Sequence, residues 1–272
     1  MALFEVMDEI ARRDILKTEA GDTRLWGVVV GLVARNYDKD MPGRICVTIP
    51  VRDKDANELK WARLAMPSFG KKWGHYFLPE VGDQVLLAFE NGNIDKPYVI
   101  GCVPQDNSNF LSGAVDEKNQ YKKIVTRYGN EIVFEDNKEG EGEKDKITIR
   151  TAKKDHVISM DNENHKITIS DKDGKNSIVI CDEENAGNIV MKTEKKLTIQ
   201  VGDNIKMIMD GESGKVSVSC DTFSVSASNA VKMVGNSNVS VTGSDIKVEG
   251  SSSMKVSSSG ATSVQGSVIK LG

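Results

Sequence analysis

From Val216 onward, apolar residues come in pairs separated by one residue, and the pairs return every seven or eight residues. They are Val216/Val218, Phe223/Val225, Val231/Met233, Val239/Val241, Ile246/Val248, Met254/Val256, Thr262/Val264 and Ile269/Leu271. Pairs of the same kind occur upstream at Ile147/Ile149, Ile158/Met160, Ile167/Ile169, Ile178/Ile180, Ile189/Met191, Leu197/Ile199 and Ile205/Met207, where the interval widens to between eight and eleven residues. The i, i+2 spacing is that of one face of a β-strand. A fixed-period repeat of such strands is the mark of a solenoid. A disordered linker has no need of this phase, although the Ser, Gly and Asn content alone would suit one.

The repeat is too short to support itself. Ordering eight residues costs roughly 8–16 kcal/mol of backbone entropy at about 1–2 kcal/mol each. Two inward aliphatics return only about 3–6 kcal/mol when fully buried. Backbone hydrogen bonds at about 0.5–1.5 kcal/mol net close the gap only if nearly all are made. One strand and one turn per repeat cannot wrap a core, whereas three copies braided around a common axis can. The expected arrangement is a homotrimer in which each strand pairs with strands of the other two copies. Val216, Val218, Phe223, Val225, Val231, Met233, Val239, Val241, Ile246, Val248, Met254, Val256, Val264, Ile269 and Leu271 are expected to fill that axis. Ser, Thr, Asn and Lys are left to face water.

The first part of the chain has different physics. Trp26, Trp61 and Trp73 all lie in it, whereas the last hundred residues hold Phe223 as their single aromatic. Between Leu25 and Val103 the segments WGVVVGLVARN, RICVTIPV, WARLAMP, QVLLAFE and PYVIGCV read as five strands, broken by turns around Pro42–Gly43, Gly82 and Gly92. Five short strands in about eighty residues suit a small closed barrel. Residues 1–23 read as an amphipathic helix or arm, 24–103 as the barrel, 104–120 as a polar connector and 121–272 as the repeat. The fold class is therefore all-β.

Charge and motifs narrow the function. Net charge is −4, so no basic excess points to nucleic acid or anionic lipid. Cys46, Cys102, Cys181 and Cys220 have no paired spacing and read as free thiols of a reducing compartment. Acids scattered through Met1–Ala20 leave no signal peptide, so synthesis in the cytoplasm is expected. Asp171, Asp173, Glu183 and Glu184 sit in polar turns and read as solvated. His75 is the barrel's single histidine, and no nucleophile, phosphate-loop or metal-ligand motif is present. No catalytic residue, metal or cofactor is expected. Arg35, Arg44, Arg52, Lys71, Lys72, Trp61, Trp73 and Tyr76 supply the residue types of a single-strand-binding barrel. Asp38, Asp40, Asp53, Asp55 and Glu80 interrupt any basic track, and nucleic acid is not an expected partner.

The GRICVTIP strand, the PEVGDQVLLAFENG hairpin and the closing KPYVIG resemble the oligonucleotide/oligosaccharide-binding (OB) barrel of phage baseplate assembly protein V and of the VgrG spike proteins of type VI secretion. YGNEIVFED at Tyr128–Asp136 resembles that family's lead into a trimeric β-helix. The resemblance implies the homotrimeric spike of a contractile tail, phage-tail-like bacteriocin or secretion particle. The barrel would meet the tube or hub, and the needle would pass through the target envelope when the sheath contracts. Two features of the family are missing. The connector is too short for the lysozyme domain some relatives carry, and the C-terminal GSVIKLG lacks the His-x-His of metal-tipped spikes. Val268, Ile269 and Leu271 would instead form apolar rings for a separate PAAR-like tip protein. The alternatives are a carbohydrate-active or receptor-binding β-helix, and an OB-fold module that binds single-stranded nucleic acid.

Overall fold

The computed structural model describes residues 24–49, 59–105, 108–182 and 187–270. The helix expected over residues 1–20 lies outside these residues, as do Arg52, Asp53, Asp55, Glu183, Glu184 and Leu271. The described chain is nearly all β and clusters into two units, residues 1–194 and 195–272.

In the first unit the five expected strands form: β1 (Val28–Arg35), β2 (Arg44–Thr48), β3 (Leu59–Leu64), β4 (Gln84–Phe89) and β5 (Pro97–Val103). They close in the order β1-β2-β3-β5-β4, with β3 and β5 parallel and every other pair antiparallel. Alternation along the strands sends one side chain in two to the centre. The barrel is filled by Val33, Ile45, Val47, Ile49, Ala62, Val85, Leu87, Phe89, Ile94 and Val99. Gly31 is fixed by crowding, because a Cβ there would lie 2.6 Å from Leu87 Cδ1 and 2.9 Å from the Thr48 carbonyl oxygen.

The connector is not wholly irregular. A short helix, α1 (Asn109–Ala114), starts after Ser108, and the Lys123 ammonium donates to the Gly113 carbonyl at 2.6 Å. Seven strands then follow: β6 (Tyr121–Val125), β7 (Glu131–Glu135), β8 (Lys146–Arg150), β9 (His156–Asp161), β10 (Lys166–Asp171), β11 (Ser177–Cys181) and β12 (Asn188–Lys192). They form one antiparallel meander in sequence order. An ion pair between Arg127 and Glu80, at 2.7 Å, ties the first hairpin to the barrel.

The ladder partners here come from the same chain, whereas the sequence reading looked to the other two copies. The turns decide it. Between β10 and β11, Gly174 takes φ +64° and the Asp171 carboxylate accepts from the backbone N–H groups of Lys175 and Asn176 at 2.9 and 3.2 Å. A closed turn of this kind returns the chain beside itself.

In the second unit β13 (Lys196–Val201), β14 (Ile205–Asp210) and β15 (Lys215–Ser219) form a three-stranded antiparallel sheet. Strands were expected to continue, but among residues 220–270 there is no helix and no strand, and nearly every residue is exposed. A strand is defined by its ladder, and this segment finds no ladder within its own chain. Its turns are still tight. A Cβ on Gly235 would collide with the Asn238 carbonyl oxygen, and one on Gly250, two repeats later, would lie 2.6 Å from that of Ser253.

Candidate functional site

The meander brings the upstream apolar pairs into register. One row crosses all seven strands through Ile124, Ile132, Ile149, Ile158, Ile169, Ile178 and Met191. A second runs through Phe134, Ile147, Met160, Ile167, Ile180 and Ile189 and begins at Lys122 on β6. Both rows lie on one face, because their residues are two apart on each strand. That face remains open in the single chain: Ile158 on the central strand is 38% exposed and Ile169 is 47% exposed.

The opposite face carries the charges. Lys146 lies across from Asp161 with 2.9 Å between ammonium and carboxylate, and Arg150 pairs with Glu131. A one-residue slip would break these pairs and turn the apolar rows outward, so they fix the register more than they add stability. The Lys146 ammonium, with the Asn164 turn N–H, holds the Asp161 carboxyl below its usual value. Asp171 is lowered by its bonds to the Asn176 side chain and the turn backbone, and Asp210 by its bonds to Ser213. These acids end strands β10 and β14 and organise the following turns. Sequence reasoning took Asp171 as merely solvated; the signal it passed over is an Asp three residues before a Gly.

The second unit repeats the pattern on a smaller scale. Leu197, Met209 and Val216 form one row, and Ile199, Met207 and Val218 the next. On β14 the pair in line with its neighbours is thus Met207/Met209, with Ile205 beyond it facing Val201. Val216 and Val218 are the only expected axis residues that the chain joins to others through a ladder among the described residues. Phe223, Val225, Val231, Met233, Val239, Val241, Ile246, Val248, Met254, Val256, Val264, Val268 and Ile269 are all exposed. Leu271 lies outside the described residues.

The barrel carries a second surface, on the outer face of β2 and β3. Arg35, Cys46 and Trp61 form one row across β1, β2 and β3, and Arg44, Arg63 and Tyr98 form the next across β2, β3 and β5. The Arg35 guanidinium lies 5.0 Å from the centre of the Trp61 ring. Cys46 sits between these two, which explains why an outward-facing thiol is fully buried. β3 pairs with β5 at Arg63 and Leu64 alone, and the seam widens into a groove of about 320 Å³. Arg35, Arg44 and Trp61 are therefore together. Lys71, Lys72, Trp73 and Tyr76 lie in the loop between β3 and β4, held as a hairpin by Gly70 N–H to the Trp73 carbonyl at 2.7 Å and His75 N–H to that of Ser68 at 2.9 Å. Arg63 was missed in the sequence, although its position two residues beyond Trp61 places it on the same face.

No group of three or more His, Cys, Asp or Glu side chains is placed to hold a metal ion among the described residues. No helix among them is long and apolar enough to cross a membrane.

Residues 29–103, which include all five barrel strands but the first residue of β1, match the family described as the type VI secretion system/phage-baseplate injector OB domain. Over this stretch the chain is similar to an injector OB domain. Its relatives include the type VI secretion system spike protein VgrG5 of Pseudomonas aeruginosa, 34% identical over 28% of this chain and 10% of that protein. The spike protein VgrG3 of Vibrio cholerae serotype O1 is 30% identical over 42% of this chain and 12% of its own length. VgrG2a of Pseudomonas aeruginosa is 33% identical over 27% of this chain and 9% of its own. The chain thus spans about a tenth of the length of these curated relatives. The strand order and the family match agree on an OB-type barrel, and the all-β reading holds.

Proposed function

We propose that the chain is the structural central spike of a contractile injection particle. Three copies pack the apolar rows of their sheets against one another and continue as an intertwined needle through residues 220–272. The observation that carries this reading is the pair of apolar rows crossing the seven-stranded sheet, left open on one face of the single chain. A face of this size is hard to keep monomeric in water, and a closed cyclic arrangement of copies covers it. The unpaired repeat fits the same arrangement, because strands from neighbouring copies supply the ladder its own chain lacks. The injector OB domain would meet the tube or hub protein. A PAAR-like tip would cap Val268, Ile269 and Leu271, and the needle would cross the target envelope when the sheath contracts. The work is mechanical, without turnover, and the protein would act outside the cell as part of the particle.

Light scattering of the full chain tests the reading. The expected mass is three times that of one chain, and it should persist in mild detergent. A well-folded monomer at micromolar concentration would refute it.

A further inference from the structure

The groove beside β3 has a charge balance that the barrel itself does not need. Arg44 and Arg63 stand directly opposite each other in an antiparallel pair, where like charges repel. The nearby carboxylates are already engaged: Asp95 with Lys60 at 2.6 Å, and Glu90 with Lys96 at 3.2 Å and the Tyr98 hydroxyl at 3.0 Å. Arg63 donates to the Tyr98 hydroxyl at 3.5 Å and its charge is felt by Glu90 without a direct ion pair, and Arg44 has no carboxylate partner among the described residues. Two guanidiniums on rigid strands, with most of their N–H groups uncommitted, form a site matched to carboxylate geometry.

We propose that this groove docks an acidic peptide segment of a partner protein, with Arg44 and Arg63 each taking a carboxylate. Nucleic acid fits less well, because Arg35 lies over the Trp61 ring and takes the platform on which a base would stack. The inference stands on the barrel alone and does not draw on the needle reading.

The test uses the full chain and two fluorescein-labelled probes in low salt, an oligoglutamate peptide and an oligothymidylate of equal length, read by anisotropy. Oligoglutamate should bind and oligothymidylate should not. Arg44→Glu and Arg63→Glu should each weaken the peptide at least tenfold. Glu90→Gln should strengthen it severalfold, which separates loss of a site from loss of the fold. The proposal is overturned if the peptide does not bind, if its affinity is the same in all three variants, or if oligothymidylate binds more tightly and is released by the arginine substitutions.

Discussion

Replacing Ile158 with aspartate separates a covered apolar row from an open one. Ile158 lies on the central strand of the meander, between Ile149 and Ile169 in the row, and is 38% exposed in the single chain. Full burial of an isoleucine contributes about 1.5–3 kcal/mol, so the part still exposed represents roughly 0.6–1.1 kcal/mol per copy. If the row faces water, Ile158→Asp forfeits only the part already buried, about 1–2 kcal/mol, and the carboxylate stays solvated. If three rows meet at an axis, three carboxylates are brought together without partners. An uncompensated buried charge costs about 3–5 kcal/mol, so the trimer would lose on the order of 9–15 kcal/mol. Light scattering and thermal melting of the full chain, with Ile158→Val as control, measure the difference. Dissociation or failure to assemble is expected for the aspartate variant, with little change for valine. A wild-type trimer that Ile158→Asp leaves intact and equally heat-resistant would show that the row is not the contact.

Leu87→Ala should cost the barrel about 2–5 kcal/mol, because Leu87 is fully buried, and chemical denaturation followed by tryptophan fluorescence measures it. Gly31→Ala should destabilise the same barrel by about 1–3 kcal/mol, since the new methyl meets Leu87 and the Thr48 carbonyl. Asp171 and Asp210 have folded-state pKa values held below their unfolded ones, so what they contribute is present above the unfolded value and is lost as pH falls through the folded one. The hairpins should therefore loosen on acidification below about pH 4, and Asp171→Asn should flatten that response in circular dichroism. Trp61→Ala should open Cys46 to thiol reagents at neutral pH, raising the number of fast-reacting cysteines by one per chain.

Most of the barrel was legible because its strands alternate cleanly and its turns carry Gly or Pro. Leu87 and Val85, with polar Gln84 and Asp83 before them, could hardly be read otherwise. The groove was less so. Arg44 and Arg63 are nineteen residues apart in the chain, and only the β2–β3 register makes them neighbours. The turn acids were passed over because an Asp in a polar run looks solvated until its carboxylate is seen accepting from backbone N–H groups of the same turn, as Asp171 does four and five residues ahead.

The sequence by itself determined the β character, the five strands of the barrel and the phase of the apolar pairs on β8 to β15, since each depends on alternation or on turn residues within a short window. Only the tertiary structure decided which strands are neighbours. It closed β3 on β5, and it folded the wide-spaced upstream repeats back on their own chain while leaving residues 220–270 without a ladder. The physical reason is that strand pairing depends on where distant backbone donors and acceptors meet. Five turn residues suffice to bring β10 and β11 together, whereas residues 220–270 meet no partner backbone among the described residues.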